Sequence, residues 1–128
     1  MKLLLDTCTF LWVIQDAPRL SKRARDLFRA PDDEVYLSAA SAWEIAVKHA
    51  LGRLPLPQAP EQFVREMREA HAIASLPIDE ESALHVSRLP GLHHDPFDRM
   101  LVAQAIVHGL AILTPDPLVT RYPARTIW

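Results

Sequence analysis

Four short apolar runs of strand length punctuate this chain, and the segments between them carry helical spacing. "KLLLD" is a continuous apolar run of the kind found in strands covered on both faces. "EVYLS", the weaker "IASLP" and "LAILT" follow it, and "RTIW" reads as a last edge strand. "TFLWVIQD" is expected to form a short helix that stops near Pro18. "SKRARDLFRA" offers Ser21 as N-cap, places Ala24, Leu27 and Phe28 at helical spacing, and is ended by Pro31. "AASAWEIAVKHALG" is helical and closes on Gly52 at a C′ position. "PEQFVREMREAHA" is amphipathic, with Phe63, Val64, Met67 and Ala70 on one face. "DEESALHVSRLP" is a helix ended by Pro90, "DPFDRMLVAQAIVHG" one closed by Gly109, and "PDPLVTRY" a short helix or turn. Strands that alternate with helices from end to end predict an α/β fold with a central parallel sheet and helices on both faces. In such sheets functional groups gather beyond the carboxyl ends of the strands.

The totals narrow the choice. The 128 residues are the size of one domain, expected over residues 1–128, and nearly half of them are apolar, enough to bury a core. A charged fraction of 23% is ordinary and argues against disorder. Net charge is -2, so contact with nucleic acid must rest on a local patch. A single cysteine, Cys8, allows no internal disulfide, which suits a reducing cytosol. The N-terminal stretch is interrupted by Asp6 and lacks a small-residue cleavage site, so it is not read as a signal peptide. No run approaches the length needed to span a bilayer, and there is no internal repeat.

Four carboxylates share one expected address. Asp6 directly follows "KLLL" and Asp116 follows "LAILT", both at carboxyl ends of strands. Glu44 lies early in the helix after "EVYLS", and Asp98 in the first turn of the helix that feeds "LAILT". Each has a local alternative. Asp6 can be a turn residue or an N-cap. "SAWE" fits a capping box between Ser41 and Glu44. Asp95 before Pro96 is a good N-cap, which puts Asp98 at the third helical position. Asp116 in "TPDP" can be a turn residue. Taken together, the local alternatives weaken. Asp6 and Glu44 are embedded in apolar sequence, and buried carboxylates are costly unless paired or bound to a cation. Several in one cleft repel one another, and a divalent cation removes that repulsion. Oxygen ligands without a cysteine cluster favour Mg²⁺ or Mn²⁺ over zinc. Such a site activates water and stabilises charge on a phosphodiester.

"LLLDT", "LSAASAWEIAVK", "HHDPFDRMLVAQA" and "LAILTPD" occur in the order found in PIN-domain ribonucleases, and the chain resembles the VapC-like toxins of bacterial toxin–antitoxin pairs. The ordered set spans almost the whole chain. The resemblance implies a single-domain α/β/α sandwich and metal-dependent hydrolysis of RNA at Asp6, Glu44, Asp98 and Asp116. It implies Asp6, Asp98 and Asp116 as ligands of Mg²⁺ or Mn²⁺, with Glu44 ligating or holding the ligand shell. Thr7 and Thr114 flank the acids in family-like positions. "DPFDR" carries two aspartates; Asp98, nearer the apolar run, is taken as the ligand and Asp95 as the N-cap. A cognate antitoxin, an RNA substrate, a homodimer and a cytoplasmic location are also implied, with no membrane association.

His93 and His94 are read as a polar loop, because adjacent side chains diverge and no second metal-binding pair lies nearby, with a role at the rim, touching RNA or a metal-bound phosphate, as the alternative. Cys8 is read as a small buried residue, since no histidine is placed to activate it. Arg99 is expected either to pair with a carboxylate or to meet a phosphate. Lys22, Arg23 and Arg25 read as a solvated face, with Lys48 and Arg53 as further candidates for a basic track. Trp12 and Trp43 are expected in core or dimer packing rather than base stacking. Two rival functions stand beside the nuclease. A haloacid dehalogenase-like phosphatase also opens on "LLLDT", but expects a second aspartate where this chain has Cys8. A PIN-like RNA-binding module without turnover usually lacks acids that are all present here.

Overall fold

The computed structural model describes residues 1–128. β1 (Lys2–Leu5), β2 (Glu34–Ser38), β3 (Ile73–Leu76), β4 (Ala111–Leu113) and β5 (Thr126–Ile127) form one sheet in the order β3-β2-β1-β4-β5. Every neighbouring pair is parallel. Alternate residues of the central strand feed opposite layers, as the two-residue repeat of a strand requires. Leu3 and Leu5 pack with Phe10, Val13, Ala24, Ile45 and Val64 on one face. Leu4 packs with Ala40, Leu101, Val102, Ala105 and Val119 on the other. A strand buried on both faces has no polar alternation, which is why "KLLL" reads as continuous apolar sequence.

The helices start where local chemistry allows. α1 (Thr7–Gln15) is capped by Asp6, and α2 (Lys22–Arg29) by Ser21. α3 (Ala39–Ala50) is capped by Ser38, not entered through a box at Ser41. Ser41 is buried within the helix, and the capping-box account of Glu44 is therefore wrong. α4 (Pro60–Ala70) buries Phe63 and Val64, whereas Ala70 is exposed at its frayed end. α5 (Glu80–His85) runs into a 3-10 turn at Val86–Arg88. α6 (Pro96–His108) begins at the Asp95 cap and ends at Gly109, whose φ of 67° is left-handed backbone that glycine adopts without strain. α7 (Pro117–Thr120) is a single turn capped by Asp116.

One polar residue ties the layers together beneath the site. Gln104, with 0% exposure in the middle of α6, accepts from Ser38 Oγ at 2.6 Å and donates to the Pro77 carbonyl at 3.0 Å. It thereby pins the ends of β2 and β3 to α6. Gln104→Leu keeps much of the volume but strands both partners. The expected outcome is a loss of about 2 kcal/mol in urea unfolding, within the range for an unpaired buried polar group.

Candidate active site

The strand order reverses direction between β1 and β4, and the carboxylates meet at that point. Asp6 follows β1 and is 6% exposed. Its Oδ1 accepts from the Thr9 amide at 2.8 Å, and its Oδ2 accepts from Thr114 Oγ1, at the end of β4. Asp6 is thus an N-cap and a member of the cluster at once. Each oxygen keeps a second lone pair, because a carboxylate offers about four acceptor sites. Burial pushes its carboxyl above the usual carboxylate range, against the pull of the Thr114 and Thr9 hydrogen bonds; Asp116 adds repulsion.

Glu44 projects from α3 and is likewise 6% exposed. Thr7 Oγ1 donates to its Oε1 at 2.6 Å and lies 3.0 Å from Ser41 Oγ. Lys48, one turn further along the helix, donates to Oε2. That bond raises the Lys48 pKa. Thr7 and Thr114 therefore hold Glu44 and Asp6 respectively.

Asp98 stands at the third position of α6 with its side chain 19% exposed. Burial first, then the charge of Asp95, pushes its pKa up to about 6; Glu44 and Asp116 add to the repulsion, and a hydrogen bond from His93 opposes it. Asp95 caps the helix, with Oδ1 accepting from the Phe97 amide at 2.9 Å and the Asp98 amide at 3.2 Å. Asp116 is half-buried, caps α7 through the Leu118 amide at 2.9 Å, and donates its own amide to Thr114 Oγ1 at 3.1 Å. Thr114 thus links Asp6 to Asp116.

The other sequence expectations fare unevenly. Cys8 is exposed. Burial of its sulfur and the charges of Asp6 and Glu44 push the thiol pKa up, which disfavours a nucleophilic thiolate. Arg99, partly exposed, pairs with no carboxylate. It donates to the carbonyls of Pro90 and Val86 and to Tyr122 Oη. His93 stands in a loop, as read, and from there it bridges Tyr122 and Asp98. Trp12 packs edge-on against Trp128, as expected of a packing residue. Trp43 is 58% exposed beside the site and sits edge-on to Phe97 at 4.9 Å. On α2, Lys22 pairs with Asp26 and Arg25 with Asp16, in keeping with a solvated face.

No three histidine, cysteine or acidic side chains converge as a closed cation cage. The donors at this rim are nevertheless carboxylates and hydroxyls, and Asp6 and Asp98 have no cationic side chain of lysine or arginine against them. That set fits a small hard divalent ion, which keeps several waters and needs only one or two direct carboxylates.

The chain is similar to several known proteins. Ribonuclease VapC16 of Mycobacterium tuberculosis is 33% identical over 72 residues, 53% of this chain and 51% of the relative, so the match spans about half of that relative's length. Among solved structures, VapBC2 of Rickettsia felis bound to a promoter DNA fragment superposes with a TM-score of 0.75 at 13% identity, covering 99% of this chain and 98% of that one. DNA-bound VapBC of Salmonella typhimurium gives 0.67 at 20% identity, covering 99% and 97%. Likeness at that level of identity speaks for the fold alone. The profile of the PIN domain family aligns with residues 3–124, from within β1 to beyond α7 and with all four carboxylates inside it, and the chain belongs to that family.

Proposed function

We propose that this protein is a divalent-metal-dependent endoribonuclease, the toxin of a toxin–antitoxin pair. The observation that carries the reading is the gathering of Asp6, Glu44, Asp98 and Asp116 from four elements at the switch point, with the carboxyls of Asp6 and Asp98 raised. Structural ion-pair networks would supply each acid with a cation; here only Glu44 has one, Lys48. The relative named a ribonuclease supports RNA as substrate, and the fold neighbours that are VapBC complexes support an antitoxin as partner. No helix is long and apolar enough to cross a membrane, and the reading includes a cytoplasmic homodimer.

Asp6, Asp98 and Asp116 would hold Mg²⁺ or Mn²⁺. The bound ion would polarise the scissile phosphate and make water a better nucleophile near neutral pH. The chain's own residues do the rest. Thr114 fixes the Asp6 and Asp116 positions from one hydroxyl, and Asp95 fixes the start of the helix that carries Asp98. Thr7 and Lys48 hold Glu44. The haloacid dehalogenase-like alternative falls with the family assignment.

The direct test is cleavage of labelled single-stranded RNAs with Mg²⁺ or Mn²⁺, with EDTA, and with an Asp98→Asn protein prepared in parallel. Cutting that needs metal and disappears in the variant is expected. No cutting under any condition would favour the RNA-binding module. In the same assay Asp95→Ala should retain more activity than Asp98→Ala while losing about 1 kcal/mol of stability as a cap.

A pH prediction follows from the same carboxylates. Asp98 titrates near 6 when folded against an ordinary value of 3.8, so between those values the folded chain binds more protons than the unfolded one. Stability from this group is therefore greatest at low pH and falls as pH rises from about 4 to about 6. In EDTA, the unfolding midpoint of the wild type should drop relative to Asp98→Asn across that window. Asp6→Asn should likewise cost little stability in EDTA, since it removes a buried charge and keeps an oxygen for the Thr9 amide. Parallel pH profiles for wild type and Asp98→Asn would refute the repulsion argument.

A further inference from the structure

We propose that His93, a residue outside the acidic set, positions the Asp98 carboxylate for a divalent cation through a one-way hydrogen-bond chain running from Arg99 through Tyr122. The proposal rests on the metal-dependent reading above and adds a residue to it. The chain crosses three parts of the fold: His93 lies in the loop before α6, Asp98 and Arg99 in its first turns, and Tyr122 just beyond α7.

The direction of the chain follows from counting protons. Arg99 Nη1 lies 2.9 Å from the Pro90 carbonyl and 3.0 Å from Tyr122 Oη, and Nη2 lies 3.2 Å from the Val86 carbonyl. A guanidinium only donates, so Tyr122 Oη accepts from it. The hydroxyl's single proton is then directed at His93 Nδ1, 2.7 Å away. An Nδ1 that accepts leaves the proton of a neutral imidazole on Nε2. Nε2 faces Asp98 Oδ2 at 3.3 Å, and an ionised carboxylate only accepts. In this direction every donor meets an acceptor. The opposite tautomer would set the bare Nε2 against the carboxylate and leave the Tyr122 hydroxyl proton without a partner among the contacts it makes.

The chain is also held in place. Tyr122 is buried, and its ring lies under the Arg99 guanidinium at 5.9 Å and beside the imidazole at 5.3 Å. The two backbone carbonyls that receive Arg99 belong to the 3-10 turn and to Pro90, so the far end is tied to main chain. With Oδ2 held by His93, Oδ1 of Asp98 is the oxygen left to meet a cation or its water. Partners of this kind fix a ligand's rotamer and raise metal affinity without touching the metal.

The test uses the full chain stripped with EDTA and has two readouts. Side-chain ¹⁵N NMR in mildly alkaline buffer reports the His93 tautomer, and Mn²⁺ titration followed by electron paramagnetic resonance reports affinity. The expected tautomer carries its proton on Nε2, with the preference weakened in Tyr122→Phe. His93→Ala should bind Mn²⁺ roughly 10- to 100-fold more weakly. His93→Gln should recover much of that, because a carboxamide accepts from Tyr122 through its oxygen and donates to Asp98 through its nitrogen. His94→Ala, next door but exposed, should bind as wild type does. A proton on Nδ1, or equal affinity in wild type, His93→Ala and Tyr122→Phe, would overturn the positioning role alone. Failure of the wild-type protein to bind Mn²⁺ would overturn the metal-dependent reading and the positioning role with it.

Discussion

Parallel pairing of β1 on both of its edges fixes where the site must be. Leu3, Leu4 and Leu5 are fully buried between β2 and β4, and the next residue, Asp6, inherits their environment before the chain can turn outward. Burying an ionised carboxylate costs several kcal/mol unless donors replace the lost water. The two donors present come from that same pairing. The Thr9 amide belongs to the helix that starts as β1 ends, and Thr114 ends β4, the strand alongside. The backbone topology that buries the acid also supplies its hydrogen bonds.

Compensation is uneven across the other acids, and the unevenness carries functional meaning. Glu44 is paired with an ammonium on its own helix and with a hydroxyl from α1. Asp6 receives only neutral donors, and Asp98 receives one imidazole. A cluster built for stability alone would place an arginine between them. Arg99 is close enough in sequence to do so, yet it is turned away onto backbone carbonyls and Tyr122. Asp6 and Asp98 are thus left without a lysine or arginine partner.

Much of this was legible in the chain because strand and helix periods alternate cleanly. The sheet, the caps at Ser21, Asp95 and Gly109, and the carboxyl-end placement of Asp6 and Asp116 all follow from patterns within a few residues. Two local readings turned out otherwise, and one contact could not be seen locally. "SAWE" has a capping-box spacing, but Ser38 lies where β2 turns into α3 and takes the cap, leaving Ser41 inside the helix. Cys8 sits beside a buried aspartate in sequence, yet the helical turn after Asp6 rotates it outward. His93 stands in a loop, as read; its bridge to Asp98 is not legible locally, because its partner Tyr122 is 29 positions away. The one local hint was its spacing of five residues from Asp98 across a capped helix start. Trp43, expected in core or dimer packing, is not in the core: it is 58% exposed and packs on one side against Phe97.

The two aspartates of "DPFDR" are best understood as one arrangement rather than as competing candidates. Asp95 accepts the amides of Phe97 and of Asp98 itself, so the backbone of the second acid is fixed by the side chain of the first. Asp98 lies three and four residues before Leu101 and Val102, both buried, which turns it toward the sheet rather than outward. The same closeness makes Asp95 the strongest charge acting to raise the Asp98 carboxyl. A cap of serine or asparagine would start the helix without that repulsion. An aspartate starts it and also raises the gain from bringing a cation to Asp98, because the cation then relieves two negative charges at once. The helix start is in this way part of the electrostatics of the site.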